Sequence, residues 1–285
     1  MVYNKGYHII LVLLFLISTK LVFSQDTVTN NAFKIGENLV YRVYYSSSIG
    51  NVTAGEAILT VEEWSNKYSY EQKDIYHITG AGNSKGMFNW FYKVRDKFES
   101  YTDKHTLLPY TFVRKTREGK YKQDDKVIFN REKDEATTNS TEVTKITPDC
   151  HDFVSALYFM RTINVADFDA DSMYNINFFL DDSVYTSAIK YMGKSDLSTK
   201  WGAITCLKIA PMMASGEVFA EKYPMFVYVS DDDNHVPILA ESEVIVGSVK
   251  MELIEYSNLV TPLTIKEKRN KHSKEKQDAK EPKKH

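Results

Sequence analysis

The pattern of hydrophobic and polar positions predicts a chain built mainly of β-strands. Between residues 33 and 64, two stretches rich in Val, Ile, Leu and Tyr flank the polar segment Ser46–Asn51, which is typical of a hairpin. The same alternation of apolar stretches with Gly, Asn, Asp or Lys clusters continues along the chain. It predicts further strands at Ile75–Gly82, Phe88–Tyr101, Leu107–Lys115, Lys120–Asn130, Tyr174–Leu180, Val184–Met192, Ala203–Ala210, Met225–Ser230, Ile238–Val246 and Val249–Tyr256.

The last predicted hairpin turns at Gly247-Ser248 and shows the clearest period of two. Its apolar side chains fall on one face and its charged side chains on the other, as a sheet with one buried face requires. The apolar set is Val249, Met251 and Leu253, and the charged set is Lys250 and Glu252.

One segment, Pro148–Arg161, has helical spacing instead. Asp149 suits the N-cap, and Asp152 favours the positive end of the helix dipole. The apolar positions at helical spacing are Phe153, Ala156, Leu157 and Met160. We therefore predict a mostly β fold: a curled antiparallel sheet, an open or half barrel, with one covering helix near residues 149–162.

Composition supports this class and excludes others. The 285 residues are 43% hydrophobic and 26% charged, which excludes a disordered chain, a collagen-like fibre and a polytopic membrane protein. With 19 Tyr and 15 Phe against 12 Gly, the aromatic content favours strands.

Residues 1–24 resemble a cleaved signal peptide. Lys5 precedes the apolar run Ile9–Ile17, and Val22–Ser24 offers small side chains for cleavage before Gln25. An N-terminal membrane anchor is the alternative, but the run is about half of the length needed to span a bilayer, and Lys20 interrupts it. No Cys follows the run for lipid attachment. We expect export to the periplasm and leave association with the outer membrane open.

We divide the exported chain into a linker at residues 25–32, a β-rich domain at 33–260 and a basic tail at 261–285. Residues 266–285 hold 9 Lys/Arg and 4 Asp/Glu, whereas the body carries 25 basic and 34 acidic residues. Such a tail is expected to stay solvated, and attraction to anionic envelope surfaces is the alternative. Nucleic-acid binding is not expected, because the body is acidic and the tail has no interleaved aromatics.

Several motifs resemble those of a bacterial exported family catalogued as domain of unknown function 3108. They are Gly36-Glu37-x-Leu39-x-Tyr41, Asp96-x-x-x-Ser100-Tyr101-x-Asp103 followed by Leu108-Pro109, Asp152-x-x-Ser155-Ala-Leu-Tyr158-x-x-Arg161, and Val229-Ser230-Asp231-Asp232 leading to Pro237-Ile238. The resemblance implies no established activity. Its architecture is similar to the half-barrels of periplasmic lipoprotein carriers, which hold acyl chains in an apolar concavity, although fold does not fix function.

The cysteines offer two interpretations. Cys150 and Cys206 can close a disulfide across 55 intervening residues in an oxidising compartment, or they can be two buried thiols. A catalytic pair of Cys150 with His151 is disfavoured, because adjacent helix positions point about 100° apart.

No metal or cofactor motif is complete. The run Asp167-x-Asp169-x-Asp171 has Ser172 and Phe178 where a calcium loop needs Gly and Glu. The segment Gly193-Lys194-Ser195 lacks the first Gly of a phosphate-binding loop, and no His pair has zinc spacing. The run Asp231–Asn234 lies between two strands and is predicted to be a turn. We predict no cofactor, no metal and no catalytic site, and therefore a non-enzymatic protein.

The segment Lys85–Tyr92 suggests a binding surface, because it concentrates aromatics after a Gly/Asn/Ser turn. The hypothetical ligand-binding residues are Met87, Phe88, Trp90 and Tyr92 from this segment, with Tyr158 and Arg161 of the helix closing the same concavity. Ordinary sheet core is the alternative for the aromatics. A structural ion pair with a strand carboxylate such as Asp96 is the alternative for Arg161.

Three functions follow for testing. The first is binding of a lipid, an acyl chain or another apolar or amphipathic ligand inside the curled sheet. The second is an envelope scaffold or protein-interaction module with a solid core, which a filled interior and an exposed apolar patch would favour. The third, a hydrolase of envelope polymer, requires Asp96, Asp152 and His151 to gather around one point.

Overall fold

The structure is a computed structural model that describes residues 27–48, 50–64, 74–139, 142–164, 169, 172–213, 225–243 and 247–266. The predicted leader, most of the basic tail, and Asp167 and Asp171 lie outside these residues. The described residues form fourteen strands: β1 (Asn38–Ser47), β2 (Gly50–Glu63), β3 (Ile75–Ser84), β4 (Arg95–Asp103), β5 (Pro109–Glu118), β6 (Tyr121–Asn130), β7 (Glu135–Thr137), β8 (Val143–Lys145), β9 (Met173–Leu180), β10 (Ser183–Thr199), β11 (Gly202–Met213), β12 (Met225–Ser230), β13 (Pro237–Glu243) and β14 (Ser248–Ser257). They also form two helices, α1 (Phe88–Phe91) and α2 (Phe153–Met160).

All the strands belong to one antiparallel sheet in the order β8-β7-β6-β5-β4-β3-β2-β1-β14-β13-β12-β11-β10-β9. Except for β8 and β9, strands that are neighbours in sequence pair with each other, and β1 also pairs with β14. Because the first and last strands are joined, the two free edges, β8 and β9, come from the middle of the chain. The predicted curled antiparallel sheet with a covering helix is confirmed.

The two edges come close together without pairing. The backbone N–H of His151 donates to Asn177 O at 2.8 Å, and the N–H of Phe179 donates to His151 O at 2.8 Å. The Thr144 hydroxyl of β8 donates to Asp182 O at 3.4 Å. One residue and a few polar contacts therefore bridge the opening, and β8 and β9 form no ladder with each other in the described chain.

The predicted alternation on β14 is only partly correct. Leu253 is buried and Met251 packs against the same core cluster. Val249, however, is 41% exposed, because it pairs with Tyr45, four residues beyond the last buried position of β1, Tyr41.

The predicted strand at Phe88–Tyr101 is wrong in its first half. Phe88–Phe91 form the single turn of α1, and β4 begins only at Arg95. Gly86 has φ +58°, which lets the chain turn sharply after β3. The turn is then closed by hydrogen bonds from the N–H of Asn89 to Lys85 O and from the N–H of Tyr92 to Phe88 O.

Helix α2 begins later than predicted, with Asp152 rather than Asp149 as its N-cap. The Asp152 carboxylate accepts hydrogen bonds from the N–H groups of Val154 (2.7 Å) and Ser155 (2.8 Å). The Ser155 hydroxyl accepts from the N–H of Asp152 at 2.9 Å and completes a capping box. The helix packs against β3, β4 and β9 and covers the inside of the sheet.

Three apolar clusters make up the core. The first joins α2 and the N-terminal segment to strands β2 to β7 and to β9, and includes Phe33, Ile78, Phe112, Phe129, Tyr158 and Phe179. The second lies around Leu39, Tyr41, Ile204, Ile238, Leu253 and Leu263. The third joins α2 to β9, β10, β11 and β12 through Ala156, Ile176, Ile189, Leu207 and Val229.

The ordered chain continues beyond residue 260. Leu263 is buried, the N–H of Thr261 donates to Asn234 Oδ1 at 3.1 Å, and the N–H of Lys266 donates to Ala203 O at 2.8 Å. Residues 261–266, placed in the tail by their sequence, therefore pack against the domain. Neither helix in the described part of the chain is long and apolar enough to cross a bilayer.

The structure does not form the disulfide that an even pair of cysteines allows. Cys150 and Cys206 are free and buried, and they belong to the first and second core clusters, respectively. Burial raises the pKa of each thiol to about 12.

We expect both thiols to react with maleimide only after unfolding, because a buried thiol with a raised pKa is inert. Mass spectrometry of alkylated protein should give two adducts in urea without reductant. The urea midpoint should not change with dithiothreitol, whereas loss of a disulfide would cost about 2–4 kcal/mol. A chain that needs reductant before it gains two adducts would contradict the structure.

Candidate functional site

The residues predicted to bind a ligand lie in two separate places. Tyr158 and Arg161 are buried in the core at the end of α2. The other four are exposed on and beside α1, which contacts β2. The set predicted to line one concavity is therefore split between the core and one end of the sheet.

Arg161 forms a bidentate ion pair with Glu37. Its two terminal nitrogens donate to the two carboxylate oxygens at 2.6 and 2.7 Å. Nη2 also donates to Ala32 O at 3.0 Å, and Nε donates to Asn234 O at 3.1 Å. The side chains of Arg161 and Glu37 are 2% and 0% exposed, so the pair is inaccessible to a ligand.

The suggested pairing of Arg161 with Asp96 is wrong. Asp96 lies on β4 and accepts a hydrogen bond from the N–H of Arg117 at 2.8 Å. Glu37, which immediately precedes β1, is the carboxylate that Arg161 contacts instead.

Two tyrosines complete the surroundings of the ion pair. The guanidinium of Arg161 lies 5.0 Å from the ring centre of Tyr158, a cation–π contact. Burial raises the pKa of the Tyr158 and Tyr41 hydroxyls, so both stay protonated. Burial alone would lower the pKa of Arg161, but its hydrogen bonds and attraction to Glu37 outweigh that effect and raise it.

A second buried polar group lies at the start of α2. The Ser100 hydroxyl on β4 donates to Asp152 Oδ2 at 2.5 Å and contacts the Thr102 hydroxyl at 2.7 Å. Burial raises the pKa of Asp152 to about 6, although its hydrogen bonds with Ser100, Ser155 and Val154 oppose the shift. This carboxylate both caps the helix and fixes it to the sheet.

Cys150 and His151 do not form a nucleophile and base. Burial raises the pKa of the Cys150 thiol, the opposite of activation. Burial, together with nearby Arg131, lowers the pKa of His151 to about 3, and its ring packs on Phe159 at 4.6 Å between centres. With Asp96 on another part of the sheet, the three groups that the hydrolase hypothesis requires are not gathered.

Several large apolar side chains on and beside α1 are exposed to solvent. Met87, Trp90 and Phe91 are 74%, 88% and 84% exposed. Tyr92 and, on the adjacent β5–β6 hairpin, Tyr121 are exposed as well. We call these residues together with Phe88 the aromatic rim: Met87, Phe88, Trp90, Phe91, Tyr92 and Tyr121. Such a group of exposed apolar side chains is typical of an interaction surface.

The backbone beneath the aromatic rim is held firmly. The Ser84 hydroxyl donates to Asn89 Oδ1 at 2.7 Å and accepts from the N–H of Val94 at 2.9 Å. The N–H of Gly119 in the β5–β6 turn donates to Lys93 O at 2.8 Å. At Gly119, which has φ +59°, an added Cβ would lie 3.0 Å from the Tyr92 ring, so glycine permits this close approach.

A small cavity lies elsewhere, where β5 and β6 face the β9–β10 turn. Its volume is about 190 Å³, below the roughly 300–1,000 Å³ of ligand pockets. Its lining includes Phe112, Val127 and Phe179 together with Arg114 and Asp125. Arg114 Nε donates to Asp125 Oδ2 at 2.8 Å and its Nη2 pairs with Asp181 at 2.5 Å, so this guanidinium is already paired. Within the described residues, no group of His, Cys, Asp and Glu side chains could hold a metal ion.

The geometry defines a class of protein: an open, curled antiparallel sheet with one covering helix. Buried polar groups lie at both ends of that helix, and an exposed aromatic turn lies at one end of the sheet. The model of a family described as protein of unknown function (DUF3108) matches residues 40–254. The chain therefore belongs to that family. No curated protein shows significant sequence similarity to it.

Three solved structures align with most of this chain, and one of them has a TM-score above 0.5. A β-barrel-like protein of the domain of unknown function DUF1849 from Brucella abortus is 9% identical, covers 80% of this chain and 99% of its own length, and has a TM-score of 0.52. A candidate lipoprotein from Parabacteroides distasonis is 11% identical, covers 82% and 100%, and has a TM-score of 0.35. A Bacteroides fragilis protein with a YmcC-like fold is 10% identical, covers 81% and 100%, and has a TM-score of 0.34. At these identities the likeness concerns the fold alone.

Proposed function

We propose that this chain is an exported, non-enzymatic protein of the cell envelope that binds an amphipathic partner on its aromatic rim. One observation carries the proposal: Met87, Trp90 and Phe91 project into solvent from a turn that is hydrogen-bonded in place. Exposed apolar surface is unfavourable by about 25 cal/mol per Å². A rigid turn that keeps three large apolar side chains in water is best explained by a surface that covers them.

Binding an acyl chain inside the sheet is the weaker hypothesis. Tyr158 and Arg161, expected to line such a concavity, are buried against protein groups and leave no surface for a ligand. Helix α2 and the apolar clusters around it occupy the inner side of the sheet. This arrangement favours the alternative of a solid core that works through its surface.

Site-specific photocrosslinking in intact cells tests the proposal. We expect benzoylphenylalanine at Phe91 to give an adduct with an envelope component, lipid or protein. The adduct should disappear when Trp90→Ser is added, because the rim would lose a large apolar side chain that contacts the partner.

The matched control places the same probe at Met173, the first residue of β9, which is also exposed (58%, against 84% for Phe91) but lies far from the rim in the strand order. Equal adducts from both positions, or no adduct from Phe91, would contradict the proposal.

A further inference from the structure

We propose that the partner of the aromatic rim is the interfacial layer of an anionic phospholipid bilayer, into which Met87, Trp90 and Phe91 insert. This inference rests on the proposed function and names the chemistry of its partner. It is carried by the geometry of α1, by the kinds of side chain on the rim and by the charges around it.

The side chains of α1 are arranged as an insertion tip. Met87, Trp90 and Phe91 have the spacing i, i+3 and i+4, which places them on one face of a helical turn. Phe88 and Tyr92 are less exposed, and their rings contact each other at 6.5 Å. The apolar tip therefore protrudes from a base of aromatic side chains.

The composition of the rim is that of a membrane interface. Trp and Tyr are enriched at the level of lipid headgroups, because each has an apolar ring with a polar atom at its edge. The rim contains Trp90 at its tip, with Tyr92 and Tyr121 at its sides. The Tyr92 hydroxyl lies 3.4 Å from a carboxylate oxygen of Glu118, so it is oriented by the neighbouring hairpin.

The charges around the rim have the opposite sign to those of the body. Residues 85–96 contain three basic side chains and one acidic side chain, and residues 117–122 also contain three basic and one acidic, a surplus of four basic side chains. The body as a whole has 25 basic and 34 acidic residues. A basic end on an acidic domain matches an anionic surface.

Some of these charges are already neutralised, and others are free to face lipid phosphates. Lys85 pairs with Glu56 at 2.6 Å, and Arg117 pairs with Asp124 at 2.7 Å. Lys93, Lys120 and Lys122 are exposed beside the rim. Lys93 precedes β4, whereas Lys120 and Lys122 lie in and just after the β5–β6 turn, and Gly119 of that turn donates to Lys93 O, so the three charges lie at the same end of the sheet.

Vesicle binding tests the inference on the full exported chain. We expect binding to phosphatidylethanolamine/phosphatidylglycerol vesicles and weaker binding to phosphatidylcholine vesicles. Trp90→Ser with Phe91→Ser should weaken partitioning at least about tenfold, because two aromatic side chains would no longer be buried. Val143→Ser with Met173→Ser, two exposed apolar positions on the sheet edges, should bind like the parent.

Two further variants separate the rim from the basic tail, which every variant retains. Replacing Lys93, Lys120 and Lys122 by Ser should weaken binding to anionic vesicles at least about tenfold and reduce its salt dependence. Doxyl-labelled lipid should quench the emission of Trp90, and Trp90→Phe should remove that quenching while binding persists. Binding that is unchanged by the rim variants would assign it to the tail and overturn the inference.

The outcomes also separate this inference from the proposed function. A Phe91 adduct with a protein, or self-association through the rim, together with no vesicle binding would overturn the bilayer as partner and leave a binding rim in place. The absence of both a Phe91 adduct and vesicle binding would overturn the two proposals together. Rim variants must keep the parent's thermal midpoint, as expected for substitutions at exposed positions.

Discussion

Replacing Arg161 with Met is expected to lower the free energy of unfolding by about 3–5 kcal/mol, because it leaves the Glu37 carboxylate buried without its partner. The two side chains share a bidentate contact and have almost no exposed surface. Arg161 also donates to the carbonyls of Ala32 and Asn234, so the substitution leaves these acceptors unsatisfied as well.

Urea unfolding followed by circular dichroism measures this effect, and Arg42→Met is the matched control. Arg42 pairs with Glu252 at 2.7 Å across β1 and β14, but these side chains are 46% and 30% exposed. Loss of such a surface pair costs up to about 1 kcal/mol.

A double variant separates the unpaired charge from lost packing. Glu37→Gln added to Arg161→Met should recover part of the stability, since it removes the buried charge. If Arg161→Met were no more harmful than Arg42→Met, the buried pair would not organise the core as described.

The ion pair between Arg161 and Glu37 lies where three segments of the chain meet. Glu37 lies just before β1, Arg161 caps the end of α2, and Asn234 is in the turn between β12 and β13. Three segments that are remote in sequence therefore meet at one guanidinium. Moving any one of these segments away would leave a buried charge or a buried carbonyl without its partner, which is costly. The contacts of Arg161 therefore hold the three segments together.

The sequence predicted the sheet better than it predicted the contacts within it. Strand alternation is local, and the turns at Ser46–Asn51 and Asp231–Asn234 have the residues that hairpins favour, so both were predicted correctly. The partner of Arg161 was not predictable in this way. Glu37 lies 124 positions away, and the two side chains meet only in the folded chain.

At the aromatic turn, the local sequence pattern predicted the wrong element. Phe, Trp and Tyr favour strands, and this propensity suggested a strand that starts at Phe88. The chain instead turns at Gly86 and is tied to the neighbouring hairpin through Gly119, a contact between segments that the local pattern does not contain. The family motifs were more informative: Ser100 and Asp152 belong to two of them and are in direct contact.

Asp152→Asn is expected to change how stability depends on pH. Burial raises the pKa of Asp152 from 3.8 in the unfolded chain to about 6 in the fold. Between these values the folded state holds a proton that the unfolded state has lost. The contribution of Asp152 is therefore fully present below pH 4 and is lost as the pH rises through 6, a change of roughly 3 kcal/mol.

The asparagine should remove this dependence and preserve the helix cap. Its side-chain oxygen can accept from the N–H groups of Val154 and Ser155, and its amide can donate to the Ser100 hydroxyl. Relative to the parent, Asp152→Asn should gain stability by roughly 2–3 kcal/mol between pH 4 and pH 8. Urea midpoints across this range measure the difference.

Asp124→Asn is the control, since Asp124 is exposed and its hydrogen bond with Arg117 lowers its pKa. Its contribution has the opposite sign: it is present at neutral pH and is lost as the pH falls. The Asp124 variant should therefore show a small loss relative to the parent at neutral pH, where the Asp152 variant shows a gain. A flat difference between Asp152→Asn and the parent from pH 4 to 8 would mean that the carboxylate is solvated, and that α2 is not sealed against β4 at its first turn.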